Sequence, residues 1–234
     1  MAQAATLEDS DYPPEPDVSN LVTEDEVPVD NPFSEKQQRL LVGCLDESWT
    51  DQMRDGRPFV AFANVGLYFS PDLPPVVPDV QVSLDVTVPA DLWEKKFRSY
   101  MTWAYGKPPE LVLEIVSGNE GGETDKKFAT YANQGIAYYA IFDPQAIYSV
   151  RPLRVYELHA RKYVELLDPS WLPDLGLGIQ LWDGIFSGYE ATWLRWLDQD
   201  GRLLPIPAEM VEQARTEADQ ARTEADQART EADQ

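Results

Sequence analysis

Asp79 follows Pro78, Glu114 stands inside the apolar run Leu111-Val112-Leu113-Glu114-Ile115-Val116, and Lys126-Lys127 come a short turn later. Packing does not explain a carboxylate in the middle of an apolar run, because taking it out of water costs several kcal/mol unless something pairs with it. Two carboxylates and an ammonium on neighbouring elements have a definite chemistry. The carboxylate oxygens hold a hard divalent cation, and the ammonium orients or activates a water beside it. Metal-dependent hydrolysis of a phosphodiester uses such a set. Each residue also has a plainer reading. Pro-Asp is a common turn pair, a helical Lys is usually solvated, and on an edge strand Glu114 would face water. Lys126 and Glu123 compete with Lys127 for its role.

The elements that must position these residues follow from periodicity. Pro32 suits the first turn of a helix, and Leu40, Leu41, Cys44 and Leu45 recur at helical spacing through about Ser48. Residues 59–69 read as a strand region interrupted near Gly66. From Val80 to Val88, Val80, Val82, Leu84, Val86 and Val88 point one way, and Gln81, Ser83, Asp85 and Thr87 the other. Residues 111–142 form the clearest unit. A strand over Leu111–Val116 lies between Pro108-Pro109 and the turn Gly118-Asn119-Glu120-Gly121-Gly122. A helix from about Thr124 to Gln134 stops at Gly135, and a strand over Ala137–Phe142 ends at Asp143-Pro144. Strand, helix and strand with short connections predict a crossover onto a parallel pair. Alternation puts Glu114 on the face of Val112 and Val116. Lys127 shares a helix face with Tyr131. Residues 154–158 and 162–166 read as a hairpin, and the Trp-rich stretch 171–204 is expected to wrap the domain.

The 43% hydrophobic content and seven Trp support one sizeable core. A single Cys, Cys44, excludes a disulfide framework and a multi-cysteine metal site, and a single His, His159, argues against His-rich zinc chemistry. Cys44 reads as a small core residue, His159 as an exposed turn residue and Asp143 as a turn-former. With no basic-apolar leader and no run near the roughly 18 apolar residues of a membrane helix, a soluble cytoplasmic protein is expected. The net charge is −22. Residues 1–31 hold nine acids and no Lys or Arg, and residues 208–234 hold eight acids and three Arg. The ends carry most of the negative charge, but the centre is acidic too, which counts against tight nucleic-acid binding. Residues 1–31 read as a disordered acidic lead-in, residues 32–207 as the domain, and residues 208–234 as a heptad-repeat helical tail. Ala at 214, 218, 221, 225, 228 and 232 forms a 4-3 seam, suited either to a lone solvated helix or to a weak coiled coil.

One further stretch mixes aromatic and basic residues: Trp93, Phe97, Tyr100, Trp103 and Tyr105 among Lys95, Lys96, Arg98 and Lys107. That mixture stacks bases and holds phosphates. Trp93, Phe97 and Tyr100 also fit one helical face, so a docked structural helix is the favoured expectation there.

Taken together, Pro78-Asp79, the segment Gly106 to Ser117, Gly121-Gly122-Glu123, Lys127, Tyr131, Gly135, Tyr138-Tyr139 and Asp143-Pro144 resemble a family of bacterial putative restriction endonucleases within the PD-(D/E)XK nuclease superfamily. The later Leu181-Trp182-Asp183-Gly184 and Trp193-Leu194-Arg195-Trp196, with a charged heptad tail, resemble its longer members. The resemblance covers roughly residues 32–210. It implies an α/β fold with a restriction-endonuclease-like mixed central sheet flanked by helices, and a site using Mg²⁺ or Mn²⁺. Asp79 matches the Asp of the PD motif and Glu114 the acid of the second motif. Val116 stands where the superfamily pattern has Lys, and Lys127 on the following helix fits that role. Glu35 on the first helix fits an extra metal-binding acid.

The expectation is a metal-dependent endonuclease acting on DNA. Asp79 and Glu114 hold the cation, Lys127 assists the water, and Lys95, Lys96, Arg98 and Lys107 are candidate nucleic-acid contacts. The alternative is a catalytically weak or silent nuclease-derived protein that assembles with itself through the tail.

Overall fold

A computed structural model describes residues 31–86, 88–117 and 121–232. The expected acidic lead-in, apart from Asn31, and most of the Gly-rich turn after Ser117 lie outside these residues. The elements in chain order are α1 (Pro32–Ser48), β1 (Phe59–Ala63), β2 (Leu67–Tyr68), β3 (Val80–Leu84), β4 (Tyr100–Met101), α2 (Thr102–Tyr105), β5 (Leu111–Ile115), α3 (Gly121–Gln134), β6 (Tyr138–Phe142), β7 (Leu153–His159), β8 (Lys162–Leu166), β9 (Gly178–Phe186), β10 (Tyr189–Leu197) and α4 (Pro207–Ala232).

The central sheet runs β1-β3-β5-β6-β7-β8. Its pairs are antiparallel except β5 with β6, which are parallel and joined by α3, as a strand–helix–strand unit requires. Both faces are covered, so the mixed sheet flanked by helices is as expected. On one face Leu111, Leu113 and Ile115 pack with Leu40, Leu41, Leu45, Trp193 and Trp196. On the other, Val112, Tyr139 and Ile141 pack with Tyr100, Tyr105 and Tyr131.

The helix α1 starts where its cap dictates: the Asn31 side chain accepts from Ser34 N at 2.9 Å, with Pro32 in the first turn. Its apolar stripe lies on the sheet, and Gln37 ties it to β10 by donating to Leu194 O (3.1 Å) and accepting from Leu194 N (2.9 Å). The Trp-rich stretch forms the β9–β10 hairpin, which turns at Ser187-Gly188 with φ of 50° and 83°, the left-handed pair a tight hairpin favours. There Trp193 stacks on Phe33 at 4.9 Å, and Trp196 Nε1 donates to Leu41 O at 3.0 Å.

Two expectations are corrected. The strand from Val80 ends at Leu84, because Asp85 takes a left-handed φ of 55°, and all five of its residues are buried. Gln81 and Ser83 are buried, with Gln81 Nε2 donating to Val65 O at 2.9 Å and the hydroxyls of Ser83 and Tyr100 hydrogen-bonded to each other at 2.9 Å. The helix expected over 91–107 does not form. The stretch holds a single 3₁₀ turn at Lys95–Phe97, the short strand β4 beside β2, and the one-turn helix α2. The buried Tyr100 decides this: its ring stacks on Tyr105 at 4.3 Å and its hydroxyl also donates to Lys107 O at 2.9 Å. Those anchors pull the chain inward at Tyr100 and leave Trp93 79% exposed, so the two aromatics share no helical face.

The helix α4 is exposed along its described residues beyond Ile206. Its first turn is fastened to the domain. The Glu209 carboxylate accepts from Arg195 Nη1 (2.8 Å) and Nη2 (2.6 Å), and Ser48 Oγ lies 3.1 Å from Met210 Sδ. No helix among the described residues is long and apolar enough to cross a membrane.

Candidate active site

Asp79 sits half-buried one residue before β3, beside β5 at the end that carries Glu114. Its carboxylate is held from two directions. Oδ2 accepts from the backbone N–H of Ile115 at 2.6 Å, and Oδ1 accepts from Gln38 Nε2 on α1 at 2.9 Å. Asn64, in the left-handed region that Asn tolerates (φ 54°), closes the arrangement. Its side chain donates to Gln38 Oε1 at 2.9 Å and its backbone N–H to Asp79 O at 3.2 Å. The bond to Ile115 N places the Asp79 carboxylate against the backbone next to Glu114.

Glu114 lies on the face of β5 that meets α3, where its side chain is only 12% exposed. Its Oε2 accepts from Lys127 Nζ at 2.9 Å and its Oε1 from Tyr131 OH at 2.7 Å. Lys127 and Tyr131 are four residues apart, one above the other on α3, so a single helix face supplies both donors. Burial, with the Glu114 charge beside it, holds the Tyr131 phenol well above its ordinary range, so it stays a proton donor to that carboxylate. The same two causes raise Tyr139 behind it.

The oxygens of Asp79 and Glu114 are hard donors, and both side chains are part-buried at one end of β5. They fit Mg²⁺ or Mn²⁺, which proteins hold through one or two carboxylates while waters and substrate phosphate fill the remaining positions. Among the described residues no group of three or more His, Cys, Asp and Glu side chains gathers for a metal.

Residues 20–183 match the model of the Uma2 family, described as putative restriction endonuclease. The chain belongs to the Uma2 family. The match spans Asp79, Glu114 and Lys127 and stops inside β9, before β10 and α4. A solved structure described as a putative nuclease belonging to DUF820, from Anabaena variabilis, is similar at 15% identity, with a TM-score of 0.42, covering 63% of this chain and 76% of that one. No curated protein matches the chain.

Within this Uma2 chain the remaining candidates fall in different places. Lys127 reaches Glu114, whereas Lys126 is exposed. Glu35 is also exposed, paired with Arg39 at 3.5 Å and Lys36 at 3.7 Å. The α1 side chain on Asp79 is Gln38, three residues further on. Lys107 is at the opposite end of β5, donating to Leu84 O at 3.0 Å and paired with Glu110, in a cavity of about 430 Å³ shared with Arg57 and Asp174. Lys95, Lys96 and Arg98 are exposed on the 3₁₀ turn and its flank. His159 is exposed and pairs with Glu157, and burial pushes the Cys44 thiol up to about 12. The Asp143 carboxylate takes the backbone N–H groups of Ile147, Tyr148 and Ser149, a turn-forming role.

Gln38 and Asn64 are the residues the sequence reading misses. Gln38 left one signal, a polar residue beside Gln37 within the apolar stripe of α1, which must find a buried partner.

Proposed function

We propose that this Uma2 chain is a metal-dependent endonuclease that hydrolyses phosphodiester bonds in DNA, with Asp79 and Glu114 holding Mg²⁺ or Mn²⁺. The observation that supports this is the meeting of Asp79, Glu114 and Lys127 at one end of β5, each fixed by named partners. A divalent cation bound there supplies Lewis-acid polarisation of the phosphate and a lowered pKa for its water. The chain's own residues do the rest. Gln38 and Ile115 N fix the Asp79 carboxylate, Tyr131 fixes Glu114, and the Lys127 ammonium steadies negative charge as it grows on the phosphate oxygens. Supercoiled plasmid nicked by the full chain in Mg²⁺ or Mn²⁺, with nicking stopped by a chelator, is the expected result. Absence of nicking by folded protein, or nicking that persists in chelator, would overturn the reading.

A second reading, self-assembly through the tail, is favoured by the arrangement of α4. Val211 and the Ala positions form the a and d seam. Arg215, Arg222 and Arg229 then fall at e, and Glu217, Glu224 and Glu231 at g. In a parallel pair of copies, each g Glu faces the e Arg five residues on in its partner, while an antiparallel pair sets Glu against Glu. The full chain is expected to sediment as a dimer. Glu217→Arg with Glu224→Arg should return it to a monomer, and mixing with an Arg222→Glu, Arg229→Glu chain should restore pairing. A monomeric full chain at all concentrations rules this out.

A further inference from the structure

The segment 92–98 has no part in the site described above, yet its composition is the reverse of the chain's. It holds three basic side chains and one acid within a protein of net charge −22. Leu92 is 58% exposed and Trp93 79% exposed. Burial of Trp93 therefore contributes little to the fold. The turn's backbone is nonetheless braced: Arg98 Nε donates to the Trp93 backbone carbonyl at 3.0 Å, and the Arg98 guanidinium stands 6.0 Å from the centre of the Trp93 ring. The turn is rooted through Phe97, whose ring meets Tyr105 edge-on at 5.5 Å. Phe97 and Tyr105 belong to the apolar layer that also contains Tyr131, the donor to Glu114. The Trp93 turn thus rises from the face of the sheet that carries Glu114 and is covered by α3.

We propose that Trp93, with Arg98 and Lys95, is a stacking platform for an unpaired base of single-stranded nucleic acid, so that the site acts on substrates containing single-stranded stretches. This rests on the nuclease reading for its consequence, though not for the binding itself. A protruding indole gains by stacking only where a base face is open. Inside a duplex both faces of each base are covered, so a duplex offers Trp93 only its backbone and grooves. The cations at 95 and 98 answer the phosphates flanking such a base, and the acidity of the rest of the chain turns the polyanion away elsewhere.

The test is fluorescence anisotropy of a labelled single-stranded oligonucleotide and of the matching duplex, with the full chain in chelator so that nothing is cut. Stacking on an aromatic side chain is worth about 1–3 kcal/mol per base. Trp93→Ala is therefore expected to weaken single-strand binding by about 5- to 150-fold and to leave duplex binding unchanged. Trp93→Phe should keep part of the affinity. Equal binding by wild type and Trp93→Ala, equal losses on both strand forms, or no single-strand binding by wild type would each overturn the proposal. Failure of the nuclease reading looks different: no plasmid nicking, with Trp93-dependent binding retained.

Discussion

Asp79→Ala is expected to abolish metal-dependent nicking and to weaken Mg²⁺ binding, whereas Lys127→Met should lower nicking about 10²- to 10⁴-fold and leave Mg²⁺ affinity equal or higher. The contrast follows from what each side chain touches. Asp79 presents oxygen beside the Glu114–Ile115 backbone, and nothing in an alanine replaces that donor. Lys127 presents an ammonium at 2.9 Å from Glu114 Oε2, so it neutralises the carboxylate proposed to hold the cation. Removing it takes away charge stabilisation while relieving competition for Glu114. Calorimetric Mg²⁺ titration beside the plasmid assay separates the two roles. If Lys127→Met lost Mg²⁺ binding as Asp79→Ala does, Lys127 would be holding the site together rather than assisting the chemistry. If Asp79→Ala kept wild-type Mg²⁺ affinity, the cation would not be held by Asp79.

The second large effect is on stability. Glu209→Ala leaves the Arg195 guanidinium buried without its anion. The Arg195 side chain is 1% exposed, donates also to Leu204 O at 2.6 Å, and lies over the Trp182 ring at 4.8 Å. Breaking a buried pair from one side costs about 3–5 kcal/mol. Because Glu209 is itself 44% exposed, solvent screening moves the expectation to about 3 kcal/mol or less. At about 2–4 °C per kcal/mol for a chain of this size, the midpoint should fall by at most roughly 6–12 °C. The pH dependence has a definite sign. The Arg195 hydrogen bonds hold the Glu209 carboxyl below its ordinary value of 4.5 in the folded protein. That stabilisation is complete above the ordinary value and is lost as pH falls through the depressed one. The gap in thermal midpoint between wild type and Glu209→Ala should therefore narrow in acid, and a gap that stays constant would mean the carboxylate charge is not its source.

Local signals made α1 and the β5–α3–β6 unit legible in the sequence. Asn31 with Pro32 marks one helix start, and Gly135 with φ of 80° ends α3. Glu114 stood out because a carboxylate in an apolar strand needs partners, and both described side-chain partners lie on one face of the next helix. Gln38 and Asn64 did not stand out. Their bonds join residues 41 and 26 positions apart, and no local pattern distinguishes a glutamine that meets an aspartate across the sheet from one that meets water. The 91–107 stretch misled for the same reason. Its aromatic spacing suits a helix, but Tyr100 has a buried hydroxyl partner in Ser83, seventeen residues back, and that tertiary bond overrides the local period.

The fastening of α4 at its first turn dictates where the protein can be shortened. The repeat begins at Gln213, which invites a cut near Pro207, but such a cut discards Glu209 and Met210 together with the heptads. A protein ended there would lose stability whether or not its tails ever met, and a change in its size or solubility would be misread as lost assembly. Ending after Glu212 keeps the Arg195 pair and removes every heptad repeat, so only that shorter chain isolates what the tail does.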